Sequence, residues 1–248
     1  MIDPFFTPRL IPIAAPPEPN ANWALFLDLD GTLLDIAPAP DRVVVPPDLV
    51  HDLTAASVAL GGALALVSGR MLSEVDSLLA PLRLPGAGEH GADIRLPNGQ
   101  RDEVDAKVPP DWAETLIAAV ADKQGVLVER KVHSVAAHYR RAPKYEGFLR
   151  DVCLRLIAGR EHSFEILSGK MMFEIRPRTV TKARPVERLM ALEPFRGRRP
   201  VFVGDDATDE DGFRAASSFG GEGLDVFVRF AGQPAEVRRW LKAVAALS

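Results

Sequence analysis

The stretch WALFLDLDGTLL, residues 23–34, decides the fold. A short apolar run that ends at once on Asp28, Asp30 and Gly31 is the pattern of a buried strand opening into a loop. Working outward, Pro46 to Leu60 predicts a helix, ALALVS (63–68) a second buried strand, and Met71 to Ala80 a helix closed by Pro81. Strand alternating with helix predicts an α/β fold built on a parallel, doubly wound sheet.

The pattern breaks after GEHGADIRLPNGQ (88–100). Pro109 and Pro110 open a helix to about Gln124, and strand-like GVLVER and SVAAHYR follow. Then come a helix from Tyr145 to Ala158 and strand-like SFEIL and MMFEIRP. Helix, two strands, helix, two strands describes an antiparallel sheet with helices on one face. We read residues 106–177 as an inserted α+β cap. The alternating core resumes with a helix at 183–192, the strand VFVG (201–204), a helix near 209–216, the strand DVFVR and a last helix striped by Val237, Trp240, Leu241, Val244 and Leu247. The core is thus expected at 23–105 and 178–248, with 1–22 a proline-rich leader and two linkers, near 105 and 178, that allow hinge closure.

Composition narrows the function classes. Net charge is −4, so no global basic field exists for nucleic acid or an anionic membrane. No run approaches the roughly 18 apolar residues of a membrane span, and the leader lacks the layout of a secretory signal. The lone Cys153 excludes an intrachain disulfide and a cysteine zinc site. The expected location is the cytoplasm, with no nucleic-acid or membrane partner.

Two acidic clusters, DLDGT (28–32) and GDDATDED (204–211), each follow a predicted parallel strand. Carboxyl ends of such strands line the ligand crevice, so the clusters are expected to face one another. Bringing Asp28 and Asp30 near five acidic residues between 205 and 211 is repulsive unless a cation intervenes. Glu210 and Asp211 are explained by the first turn of the following helix. Oxygen-only ligands favour a hard ion, Mg²⁺. Ser68 ends a strand before a helix, a place for an N-cap or a phosphoryl ligand. His51, His90, His133, His138 and His162 show no metal spacing; His138 and Tyr139 read as packing residues.

DLDGT, Ser68 in VSGR, Lys182 and GDDATD occur in the order of the four motifs of haloacid dehalogenase-type phosphatases, and the chain from about Trp23 resembles that superfamily. The resemblance implies a Rossmann-like haloacid dehalogenase core with a C2-type cap. It makes Asp28 the nucleophile that forms a phosphoaspartate, Asp30 the general acid and base, and Ser68 and Lys182 phosphoryl-binding. Asp205, the Asp28 carboxylate and the Asp30 backbone carbonyl would hold Mg²⁺, with Asp209 beside or on the ion. The surrounding TKARP departs from the NKG of the family, which leaves Arg184 as an alternative cation.

Within the superfamily, VSGR, GEHGA, VERKVHSVAAHYR and GKMMFEIRP resemble trehalose-6-phosphate phosphatases. That resemblance implies contacts to sugar hydroxyls or phosphate from Glu129, Lys131, Arg140, Lys170 and Glu174 in the cap, and from Arg70, Glu89 and His90 in the core. Carboxylates with Lys or Arg suit hydroxyls, which both donate and accept. Met171 and Met172 depart from the small or polar residues expected, so one sugar contact would be absent or backbone-made. The implied reaction is hydrolysis of trehalose 6-phosphate, paired functionally with a trehalose-phosphate synthase. The alternatives are another sugar phosphatase (sucrose phosphate, mannosyl-phosphoglycerate or a monosaccharide phosphate), a phosphomutase, and a sugar-phosphate-binding regulatory module without turnover.

Overall fold

The computed structural model describes residues 14–37, 42–169 and 171–247. Most of the leader, residues 1–13, lies outside them. Of the rest, the Pro17 carbonyl accepts from the Trp240 indole at 2.9 Å and the Ala15 carbonyl from Arg229 at 3.0 Å.

Strand β1, Trp23–Leu27, is buried throughout and sits inside a seven-stranded sheet. Its parallel neighbours are β10, Arg199–Gly204, and β2, Leu64–Val67. Beyond them lie β11, Glu222–Asp225, on one side and β3, Gly86–Gly88, on the other, both parallel as well. β4, Asp93–Arg95, and β5, Arg101–Glu103, extend the sheet as antiparallel strands.

Alternation along β1 divides the core. Leu25 and Leu27 join Leu49 and Leu53 of α1 (Leu49–Ala59), Val75 of α2 (Leu72–Leu78), and Trp240 and Leu241 of α8 (Pro234–Ala245). Ala24 and Phe26 face Val186 and Leu189 of α5 (Ala183–Met190) and Ala215 of α6 (Asp209–Ser218). Helices thus cover both faces, as the doubly wound reading requires. Phe26 is fully buried between Phe195 at 5.6 Å and Phe202 at 6.4 Å, centroid to centroid. Phe26→Ala is expected to lower unfolding free energy by about 3–5 kcal/mol, read as a drop in the urea midpoint with an unchanged slope.

Between β5 and α5 the chain builds a second sheet, antiparallel, in the order β6 (Leu127–Arg130), β7 (Val135–His138), β9 (Met172–Pro177), β8 (Phe164–Gly169). Val135, Ala137, Phe173 and Ile175 pack under α3 (Pro110–Ala119) and α4 (Glu146–Ile157). Cys153 is free and buried in this cluster, where burial pushes its thiol up to about 12. Among the described residues no helix is long and apolar enough to cross a membrane.

Two segments differ from the sequence reading. Of DVFVR only Asp225 is strand; Val226–Arg229 forms a short helix, α7, because the Asp225 carboxylate accepts from the Val228 amide at 3.0 Å and turns the chain. The stretch 93–103, placed in the core with no element assigned to it, is the β4–β5 hairpin. Its turn carries Asn98-Gly99, with Gly99 at φ +84°, a hairpin signal present in the sequence.

Candidate active site

Asp28 follows β1, and Asp205 follows the adjacent parallel strand β10, so sheet pairing alone sets them side by side. The Asp28 amide donates to the Val203 carbonyl at 2.9 Å. Asp28, Asp205 and Asp209 are all buried and offer carboxylate oxygens within 4.8 Å of one another. Two glycines permit this closeness. A Cβ on Gly31, whose φ is +92°, would lie 2.3 Å from Asp205 Oδ2, and one on Gly204 would lie 2.2 Å from Asp209 Cγ.

Lys182 precedes α5 and is only 2% exposed, yet its Nζ reaches Asp28 Oδ1 and Asp209 Oδ1, each at 2.7 Å. Burial opposes its charge, but Asp209 and Asp28 outweigh that and hold its pKa above the ordinary lysine range. Burial raises the Asp28 pKa well above the carboxylate range despite Lys182, with Asp209 and Asp206 adding like charge. Arg184 turns away to the Gly91 carbonyl at 2.8 Å and to Asp102, so Lys182 and not Arg184 is the cation of this cluster.

The donor set fits a hard divalent cation. Its side chains are all carboxylates, three of them buried with oxygens within 4.8 Å of one another. Asp209 is largely committed, with Oδ1 on Lys182 and Oδ2 accepting from the Asp205 and Asp206 amides at 3.0 Å each. Asp28 and Asp205, at adjacent strand ends, could hold the ion, with Asp209 braced beside them. The Asp30 carboxylate is engaged by Arg70, Nε to Oδ2 at 2.6 Å and Nη2 to Oδ1 at 2.7 Å. A ligand role for Asp30 thus falls to its backbone carbonyl.

Above this floor lies a cavity of about 570 Å³, roofed by the second sheet. Strand register puts Glu129, Ala136, Glu174 and Leu167 in one row across its open face, and Leu127, His138, Met172 and Gly169 in the next. Glu129 and Glu174 border the cavity, while Ala136 between them is fully buried. Lys131 donates to Glu174 at 3.1 Å and to the Gly69 carbonyl at 3.0 Å. Burial works against the Glu174 charge, yet Lys131, His90 and Ser134 hold its pKa well below the glutamate range.

Asp28, Asp30, Ser68, Arg70, His90, Glu129, Lys131, Arg140, Glu174 and Lys182 all border the cavity. Ser68 is buried, and its Oγ accepts from the Arg70 amide at 3.1 Å; it does not cap α2, whose N-cap is Met71. Arg140 donates to the Ala37 carbonyl, joining the second sheet to the loop after β1. Glu89 is not on the cavity wall; its carboxylate faces the loop after β6. Lys170 lies outside the described residues.

Sequence reading places neither Asp206 nor His138 in the site, yet both border the cavity. Thr208 donates to the Asp206 carboxylate through both its amide and its hydroxyl; with Lys182 this outweighs burial and brings the carboxyl to about 2. His138 Nε2 meets Glu129 Oε2 at 2.7 Å. The parity of β7, with His138 two residues from Ala136, was the available signal.

The trehalose-phosphatase family model matches residues 26–238. A probable trehalose-phosphate phosphatase of Sinorhizobium fredii is 44% identical over 201 residues, 81% of this chain and 76% of its own length. The trehalose-6-phosphate phosphatase of Escherichia coli is 39% identical over 243 residues, 94% and 90% of the two chains. In fold, the C-terminal domain of the C. albicans trehalose-6-phosphate phosphatase superposes with a TM-score of 0.73 at 20% identity, covering 90% of this chain and 92% of that one. A trehalose-6-phosphate phosphatase related protein gives 0.67 at 24% identity, covering 90% and 97%. With a match across most of its length and two relatives above a third identical, the chain belongs to the trehalose-phosphatase family, phosphoric monoester hydrolases with the haloacid dehalogenase fold.

Proposed function

We propose that the protein hydrolyses trehalose 6-phosphate to trehalose and inorganic phosphate, with Mg²⁺, through a phosphoaspartate on Asp28. The observation that carries this is one cavity with two chemistries. Its floor holds Asp28 and Lys182, suited to a phosphoryl group, and its roof holds Glu129, Lys131 and Glu174, suited to sugar hydroxyls. A volume of about 570 Å³ lies within the range of small-molecule sites.

In this reading residues 23–105 and 178–248 are the catalytic core and 106–177 the specificity cap. An Asp28 carboxylate oxygen forms a bond to phosphorus as the bond from phosphorus to the sugar oxygen breaks, and Asp30 gives that oxygen its proton. Asp30 then takes a proton from water, whose oxygen displaces Asp28 from phosphorus and restores both carboxyls. Lys182 and the Ser68 hydroxyl bind phosphoryl oxygens, and Arg70 holds Asp30 in place until substrate arrives. The Asp28 and Asp205 carboxylates and the Asp30 backbone carbonyl would hold Mg²⁺, which would supply positive charge against nucleophile and phosphate. The setting this implies is cytoplasmic, with a trehalose-phosphate synthase supplying the substrate.

The test is phosphate release from trehalose 6-phosphate, sucrose 6-phosphate, glucose 6-phosphate and mannosyl-phosphoglycerate, with and without EDTA. A preference for trehalose 6-phosphate that EDTA abolishes supports the assignment. Preference for another member overturns the substrate, and silence across the panel overturns the phosphatase.

A further inference from the structure

Glu89 and His90 both adopt left-handed backbone, φ +46° and +57°, a conformation disfavoured for residues with side chains and kept where neighbours over-determine it. Here the neighbours are the loop that carries Ser68 and Arg70. The Glu89 amide donates to the Arg70 carbonyl at 2.8 Å and the His90 amide to the Ser68 carbonyl at 2.9 Å. The His90 ring lies against Gly69, where a Cβ would come within 2.6 Å of it.

This turn aims the Glu89 carboxylate at the loop between β6 and β7. The carboxylate is 4% exposed and accepts from the backbone amides of Val132 at 3.2 Å and His133 at 2.8 Å. His133 Nδ1 lies 3.3 Å away and the Ser134 hydroxyl 3.5 Å. Loop amides have no strand partner, so a carboxylate that satisfies two of them with charge-assisted bonds is a strong fixture. Two more contacts run beside it. Lys131, the first residue of the loop, donates to the Gly69 carbonyl, and His90 Nε2 stands 3.4 Å from Glu174.

We infer that Glu89 is a latch between the two sheets: a positioning residue that pins the 131–134 loop to the core and ties it to the backbone of Ser68–Arg70. Through that backbone the latch reaches Arg70, and through Arg70 the carboxylate of Asp30. The second sheet in its seated position therefore supports both the sugar-facing Lys131 and the loop that orients Asp30. The latch rests on geometry alone; its kinetic consequence rests on the proposed function.

The experiment compares the full chain with Glu89→Gly, which removes the carboxylate and suits the left-handed φ, and with Glu89→Gln, which keeps one acceptor oxygen. Hydrogen exchange is followed in peptides spanning 131–134 and, as a control, 199–204 in the core. Exchange at 131–134 is expected to quicken about tenfold in Glu89→Gly and less in Glu89→Gln, with 199–204 unmoved. In parallel, KM for trehalose 6-phosphate is expected to rise about tenfold, while kcat/KM for p-nitrophenyl phosphate, which makes no use of the sugar-facing wall, falls less than about threefold.

Unaltered exchange at 131–134, or equal acceleration in both segments, overturns the latch. An equal loss on both substrates overturns its kinetic link to the sugar-facing wall. If the unmodified protein releases no phosphate from trehalose 6-phosphate, the proposed function fails while the exchange data still decide the latch.

Discussion

Asp28→Asn is expected to lower phosphate release from trehalose 6-phosphate by about 10⁴-fold or more, with the fold intact. The substitution is isosteric, and its carbonyl oxygen can still accept from Lys182, as Asp28 Oδ1 does now at 2.7 Å. What disappears is the anionic oxygen that would attack phosphorus. Stability moves the other way. Burial raises the folded-state pKa of Asp28, so the stability its protonated form confers is present at low pH and lost as pH rises through that raised value. Asparagine does not ionise. In EDTA at pH 7 the variant is therefore expected to melt at the same temperature as the parent or higher. Phosphate release and thermal melting on the same preparation check both halves; turnover within tenfold of the parent would sink the nucleophile assignment.

Lys182→Met is expected to produce the largest loss of stability from a single side chain in the site, about 3–5 kcal/mol at pH 7 without divalent cation. Methionine fills much of the lysine's volume, so the loss is electrostatic. Lys182 is the shared counter-ion of Asp28 and Asp209, and all three are buried. A lysine with a raised folded-state pKa contributes its full stabilisation below the ordinary lysine pKa, and loses it only as pH rises through the raised value. At pH 7 the whole contribution is at stake. Because burial also raises Asp28 and Asp209, acid protonates the stranded carboxylates and shrinks the deficit. Urea unfolding in EDTA at pH 7 and pH 5 reads this directly. Turnover is expected to fall about 10³-fold. A deficit below about 1 kcal/mol at pH 7 would mean that the buried acids have another counter-charge.

Much of the architecture was legible because its determinants are local. Apolar runs at 23–27 and 201–204 are buried strands whatever surrounds them, and both end on acids. VFVR misled because its apolar residues fit a strand, while one capping bond from Asp225 made it a helical turn. Asn98-Gly99 was legible in principle, and its hairpin extends the core sheet in a stretch to which the sequence reading assigns no element.

The site was legible in its residue types more than in its pairings. Spacing brings Asp28 and Asp205 to neighbouring strand ends, but TKARP leaves both Lys182 and Arg184 as cations. Only the packing of α5 sends Lys182 inward and Arg184 to Asp102. Asp30 and Arg70 stand 40 residues apart, and no pattern predicts their two-bond pairing. Glu89, grouped by resemblance with the sugar contacts, is held off the cavity wall by its left-handed backbone and spends its carboxylate on Val132 and His133.

By itself the sequence determined the alternation of strands and helices, the buried strand before DLDGT, and the inventory of acids and bases. These depend on periodicity and on chemistry carried by single residues. The tertiary structure decided which carboxylate each cation meets, which face of β6 to β9 looks into the cavity, and how the core grips the second sheet. Those depend on contacts between residues distant in sequence, where burial strengthens a charge pair and strand register selects it.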